Sequence, residues 1–231
     1  MTITPKHPHR KRIHLTRHAQ AEHNVASDWT IPDARLTPLG QKQSRELHDL
    51  TKDSVQQTAE LLVSSPMRRP LETMILGYPD LKKRLESKGK PVVLLDTLQE
   101  VADLPCDTPT YPVSELQNAN EGLFADLDFS TLSVDYASKT GIFSPDNAAE
   151  RARVVRRWLR DRPEKEIVVV AHGDILRHVV YGHNAAVPWA NAQSRIFTFE
   201  SEDDEEAVLI EIAEIEPKDA SNAPTTAEMA N

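Results

Sequence analysis

A chain of 231 residues that is 39% hydrophobic can bury one sizeable core, and α/β units of this length are commonly single. Its formal charge of -9 excludes a polyanion-binding surface spread over the whole molecule, so no nucleic-acid partner is expected and any anion site is a local basic pocket. The one cysteine, Cys106, excludes an intramolecular disulfide, gives no sign of an oxidising compartment, and reads as a small buried or incidental thiol.

The opening MTITPKHPHRKR is basic but lacks the apolar run of a secretory signal, and no stretch approaches the ~18 apolar residues of a membrane span. The chain is therefore expected to be soluble and cytoplasmic, with no membrane partner. Residues 1–11 read as a solvated basic arm in preference to a nuclear-localisation patch at Lys6 to Arg12. The folded part is expected over 12–215, and the Ala-, Thr- and acid-rich segment 216–231 is expected to be a disordered tail.

Ile13 and Leu15 alternate with His14 and Thr16, which suits the end of a short strand. Arg17 and His18 then fall at its carboxyl end, where open α/β sheets leave a crevice lined with unpaired backbone groups. An adjacent arginine and histidine can supply a planar cation for phosphate oxygens and an imidazole that attacks phosphorus. An isolated Arg-His pair is more often a surface arginine beside an unremarkable histidine, so its meaning depends on what lies downstream.

The stretch VASDWTIPDAR reads as a loop. A helix follows, with Thr37 as its cap, Pro38 in its first position and Leu39, Leu47 and Leu50 beginning an apolar stripe. LLV before Ser64 is a short buried strand. The segment SSPMRRPLETMILGY then gives a helix opened by Pro66, with Met67, Leu71, Met74 and Ile75 on one face.

Val92 to Leu95 form another strand, followed by a loop carrying Glu100. The segment 105–136 is weakly patterned, with a short helix around Ser114 to Asn120, and is the place for lids and recognition loops. SPDNAAERARVVRRWLRDRP is a helix capped by Ser144, opened by Pro145 and stopped by Pro163, with Ala148, Val155, Trp158 and Leu159 toward the core. Its arginines, Arg151, Arg153, Arg156, Arg157 and Arg160, read as a solvated face.

Ile167 to Val170 is a continuous apolar strand buried on both faces, and His172-Gly173 leads from it straight into an amphipathic helix. RIFTFE and AVLIEIAEI, joined by SEDDEE, form an antiparallel edge hairpin. Strand repeatedly followed by helix predicts an α/β fold: a three-layer α/β/α sandwich around a mostly parallel sheet.

A parallel sheet gathers its strand ends, so Arg17 and His18, Arg68 and Arg69, Glu100, and His172 are expected to converge. Cations, imidazoles and one carboxylate suit a phosphate monoester, whose dianion needs positive charge and whose leaving oxygen needs a proton. LTRHAQAEHN, SSPMRR, LQE and VVAHGD resemble, in order and spacing, the motifs of the histidine phosphatase superfamily, also called the phosphoglycerate mutase-like family, over residues 12 to about 200.

The resemblance implies a phosphatase acting on a small phosphorylated molecule without cofactor or metal. His18 matches the nucleophile that becomes phosphohistidine, and Arg17, Asn24, Arg69 and His172 match the groups that hold the phosphoryl oxygens. Glu100 matches the proton donor to the leaving group, with Asp103 as a substitute, and Arg68 is left as a solvent-facing neighbour. Neutral His18 and protonated Glu100 together imply activity tilted toward acidic pH. Substrate recognition falls to Ala21, Glu22, His23, the loop before Thr37 and the region after Glu100.

Two features depart from the family pattern. Ala19 stands where glycine is usual, and VADLPCDT replaces a glycine- and aromatic-containing stretch after the acid. A primed mutase and a catalytically idle binding relative are the alternative readings. A metallohydrolase is not supported, because His18 and His23, or His172, Asp174 and His178, lack a ligand spacing, and Asp174 and His178 read as ordinary helix residues.

Overall fold

The computed structural model describes residues 11–201, 203–220 and 225, together with the backbone but not the side chain of Ala26. The basic arm expected over 1–11 lies outside the described residues except for Lys11, whose ammonium donates to the carbonyls of Leu159, Arg160 and Arg162. Those carbonyls belong to a helix end, where a cation satisfies orphan acceptors and the negative end of the dipole.

The strands are β1 (Arg12–Arg17), β2 (Leu61–Ser64), β3 (Val93–Leu94), β4 (Glu166–Ala171), β5 (Ser194–Phe199) and β6 (Leu209–Ile215). The helices are α1 (Glu22–Ala26), α2 (Pro38–Thr51), α3 (Val55–Thr58), α4 (Arg68–Gly77), α5 (Pro79–Glu86), α6 (Val113–Gly122), α7 (Ala148–Asp161) and α8 (Gly173–Tyr181). One six-stranded sheet runs in the order β3-β2-β4-β1-β5-β6. β1 to β4 are parallel, and β5 and β6 complete it as an antiparallel edge pair, as the sequence predicts.

Side-chain alternation divides the core into two layers. Ile13, Leu15, Leu61, Val63, Ile167 and Val169 face α7 and α8, packing on Val155, Leu159, Ile175, Leu176 and Val179. Leu62, Val168 and Val170 face the opposite way, onto Leu47, Leu71, Met74, Leu81 and Leu85 of α2, α4 and α5. β1 lies between β4 and β5 and is covered on both sides, so its polar residues after Arg12 are buried and need partners. His14 Nε2 meets Glu166 Oε1 at 3.1 Å, and Thr16 Oγ1 meets the Tyr78 hydroxyl at 2.8 Å.

The stripe expected on α2 is only partly right. Leu47 is buried, but Leu39 and Leu50 are exposed, and the inward face is Gly40, Gln43, Ser44, Leu47 and Thr51. Small residues serve there because the helix lies close to other backbone: a Cβ on Gly40 would fall 2.0 Å from the Gln20 carbonyl oxygen, and one on Gly77 would fall 3.3 Å from Ser44 O. Helix starts are also displaced slightly. α4 opens at Arg68, with Met67 as its cap, rather than at Pro66, and Pro145 opens a single 3-10 turn before α7 begins at Ala148.

The α7 arginines are not a solvated face. Arg151 is fully buried, and Arg156 donates to the carbonyls of His178 and Val179 at the end of α8. Arg156, Arg157 and Arg160 also donate to the carbonyls of Glu206, Glu205 and Asp204, which ties the acidic β5–β6 turn to the helix. Of the segment expected to be a disordered tail, residues 216–220 and Thr225 are described. Lys218 N donates to Glu46 Oε1 at 2.9 Å, Asp219 pairs with Lys42, and Thr225 is buried, with its hydroxyl accepting from Arg177 Nη1 at 3.1 Å.

Candidate active site

The register of the central strands brings the two motif histidines together. Arg17 pairs with Ala171, so His18 and His172, each the next residue, leave adjacent parallel strands at the same level. His18 N donates to Ala171 O at 2.9 Å, and the two rings lie 5.3 Å apart, centroid to centroid, at 65°. β2 ends one step along: Ser64 pairs with Val170, and Ser65 Oγ meets His172 Nε2 at 2.9 Å.

The backbone around His18 is braced. Its carbonyl accepts from Ala192 N and from Asn191 Nδ2 at 3.1 Å, and Ala19 N donates to Thr73 Oγ1 at 3.0 Å. Ala19 is fully buried with Ala21, Leu36 and Ala192 and has no positive φ, so the departure from glycine is accommodated without strain. His18 Nδ1 lies 2.7 Å from Ala19 O. A carbonyl only accepts, so Nδ1 carries the proton and Nε2 carries the lone pair.

That lone pair faces Arg69, whose Nε donates to His18 Nε2 at 3.1 Å. Arg69 sits in the first turn of α4, fully buried, with Nη1 donating to Cys106 O at 2.6 Å and Nη2 to Asp107 Oδ1 at 2.9 Å. Arg17 is buried too, and its Nη1 donates to Trp189 O at 2.5 Å. Burial first, then the charges of Arg69 and Arg17, hold the His18 pKa well below its ordinary value. His172 is lowered likewise, by burial and then by Arg69. Both imidazoles are therefore neutral.

Glu100 is buried at the start of α8. Its Oε1 accepts from Val101 N and Ile175 N, each at 3.0 Å, and Oε2 accepts from Asp174 N at 3.3 Å. Burial and the neighbouring Asp107 charge raise its pKa, against the pull of Arg69 and the backbone donors. The Glu100 carbonyl accepts from Lys139 Nζ at 2.7 Å and Arg151 Nη2 at 3.2 Å. Burial and then Arg151 bring Lys139 down to about 7.

The Asn24 amide is committed to α1 and its neighbours. Oδ1 accepts from Ala21 N at 3.0 Å, and Nδ2 lies 3.0 Å from His23 Nε2. The ring of His23 lies 6.0 Å from that of His18. Arg68 is not turned to solvent: it is half-buried, with Nε and Nη2 both donating to Asn120 Oδ1 and its backbone N donating to the buried Asp33. Asp103 is exposed, so it is not the second carboxylate of the site; Asp107 is. Asp174 is a buried partner of Arg177, at 2.7 Å. Cys106 is buried and pushed up to about 12 by burial and Asp107, so the thiol is a packed group.

Sequence alone gives no role to Ser65, Asp107, Lys139 or Asn191, and it places Arg151 on a solvated helix face. Only Ser65 carried a signal, being the first residue past a buried strand beside the arginine motif.

The profile of the Histidine phosphatase superfamily (branch 1) matches residues 13–200. The chain belongs to this superfamily. A probable phosphatase of Schizosaccharomyces pombe is 32% identical over 174 residues, covering 72% of this chain and 76% of that protein. A phosphoglycerate mutase-like protein of Arabidopsis thaliana is 29% identical over 203 residues, covering 72% of each chain. Among solved structures, a phosphoserine phosphatase mutant of Entamoeba histolytica in complex with phosphoserine aligns with a TM-score of 0.55 at 19% identity, over 88% of this chain and 95% of that one. At that identity the likeness concerns the fold. No group of histidine, cysteine, aspartate and glutamate side chains among the described residues is arranged to hold a metal ion, and no described helix is long and apolar enough to cross a membrane.

Proposed function

We propose that this histidine phosphatase superfamily member hydrolyses a small phosphomonoester through a phosphohistidine on His18, with residues 12–215 as the catalytic unit. The observation that carries the reading is the fixed tautomer of His18. With the Nδ1 proton donated to Ala19 O, Nε2 keeps its lone pair on the side of the ring where the Arg69 guanidinium donates to it, a cation suited to phosphoryl oxygens.

In the first half-reaction Nε2 bonds to phosphorus as the ester P–O bond breaks, and the Glu100 proton passes to the departing alcohol oxygen. In the second, a water loses a proton to the Glu100 carboxylate and attacks phosphorus, the P–N bond breaks, and phosphate leaves. Arg17, Arg69 and His172 surround the transferred group, and Asn24 supports the same pocket through its remaining amide proton. Arginine supplies the charge a metal would otherwise bring, so turnover is proposed to be metal-independent, in the cytoplasm.

A primed mutase is the second reading, supported by the Arabidopsis phosphoglycerate mutase-like relative. Screening purified protein against a panel of phosphorylated metabolites, with His18→Ala as control, separates the two. Phosphate released without a bisphosphate primer supports the phosphatase, and dependence on a primer supports the mutase.

A further inference from the structure

Asp107 ends the single 3-10 turn Pro105–Asp107, and its side chain and that of Arg69 are each 1% exposed. A buried ion pair is costly, and a neutral pair of similar shape would often be no less stable, so its presence beside reacting groups calls for a role. The turn grips the guanidinium twice: Cys106 O takes Nη1 and Asp107 Oδ1 takes Nη2. A guanidinium is a rigid plane, so fixing both terminal nitrogens fixes the direction of Nε, which faces His18 Nε2.

Asp107 also neighbours Glu100, where its negative charge opposes a second one. The other groups bearing on Glu100 are Arg69 from α4, Lys139 and Arg151 at its carbonyl, and the Asp174 and Ile175 amides from α8. Arg69 and the amides favour the carboxylate, whereas Asp107 favours the carboxylic acid.

We propose that Asp107 is a positioning residue for phosphoryl transfer: it aims the Arg69 guanidinium at His18 and supplies the negative charge that keeps Glu100 a proton donor. The assignment rests on the phosphatase reading above. Once Glu100 has given its proton to the leaving alcohol, repulsion from Asp107 also favours its taking one back from the attacking water.

The test is the pH profile of kcat for Asp107→Asn and Asp107→Glu beside the wild-type protein, with β-glycerophosphate and 4-nitrophenyl phosphate as substrates. For Asp107→Asn the descending limb should move to lower pH, since Glu100 ionises more easily without its negative neighbour. At neutral pH its rate on β-glycerophosphate should fall by about tenfold or more, and by less on the nitrophenyl ester, whose leaving group needs less protonation. Asp107→Glu keeps the charge on a longer stem and should keep the limb in place with a lower rate.

A wild-type limb in Asp107→Asn, whatever its rate, overturns the assignment. If Asp107→Asn fails to fold, a limb displaced to lower pH in Asp107→Glu overturns it instead. A wild-type protein that releases no phosphate from either ester sinks the phosphatase reading and this assignment together, whereas an active wild type with an unmoved Asp107→Asn limb sinks the assignment alone.

Discussion

Arg69 Nε lies 3.1 Å from His18 Nε2, a donor facing the lone pair of the nitrogen that would attack phosphorus. In the proposed mechanism an incoming phosphoryl group enters between these two atoms, and the guanidinium exchanges a neutral acceptor for an anionic one. Removing the guanidinium should therefore cost transition-state stabilisation and, because it takes the ion-pair partner from buried Asp107, folding stability as well. Arg69→Ala is expected to lower kcat/KM by about 10²–10³-fold, the range seen for loss of one oxyanion donor. Arg69→Lys should recover little, because an ammonium cannot hold Cys106 O, Asp107 and the phosphoryl oxygens together. Steady-state kinetics of the two variants check both statements, and a fully active Arg69→Lys contradicts them.

The pH dependence of kcat follows from two opposed shifts. In the proposed mechanism His18 acts neutral, and burial and Arg69 lower its pKa, so its protonation should remove activity only well below the usual imidazole range. In the same mechanism Glu100 acts protonated, and burial and Asp107 raise its pKa, so activity should persist above the ordinary carboxyl range and fall as pH rises through the raised value. The profile should form a plateau on the acid side with a descending alkaline limb. A rate at saturating substrate that climbs steadily above about pH 8 contradicts this, since no donor remains to protonate the leaving group.

Glu100→Gln should separate chemistry from packing. The amide still occupies the start of α8 but carries no transferable proton, so alkyl phosphates should slow by about 10²–10⁴-fold and nitrophenyl phosphate by much less. Equal losses on both substrates would mean that the substitution damages the pocket as a whole.

Gly40 holds α2 against the loop that follows His18. A Cβ there would fall 2.0 Å from Gln20 O, a backbone atom that cannot rotate away. Gly40→Ala should destabilise the protein by about 1–3 kcal/mol, as overpacking does, and lower activity by moving Gln20. Denaturant unfolding of the variant measures the first effect, and an unchanged midpoint rules it out.

The parts of this molecule legible in its sequence are those written locally. The apolar run Ile167 to Val170, the Thr37-Pro38 start of α2 and the hairpin at the sheet edge need only neighbouring residues to be recognised. The meeting of His18 and His172 followed from parallel strands ending in register, a rule of topology rather than of composition.

What escaped depends on partners far away in the chain. The polar α7 arginines look solvated until the carbonyl of Glu100 and the acidic turn after Phe199 are brought to them. Asp107 has no periodicity around it and gains meaning only when Arg69, on another element, reaches it. Leu39 and Leu50 mislead for the converse reason: the face of α2 that packs inward carries Gly40, Gln43, Ser44, Leu47 and Thr51, with Gly40 set by its close approach to Gln20, and the two other leucines fall outside it.

The central claim is that phosphate passes through His18. Mixing the protein rapidly with a phosphomonoester, quenching in alkaline denaturant and sequencing the peptide that carries His18 by mass spectrometry tests it directly. Phosphate should appear on His18 within the first turnover, decay as substrate is exhausted, and be absent from His18→Ala. Continued turnover with His18 unmodified, or with the phosphate on another residue, would contradict the account.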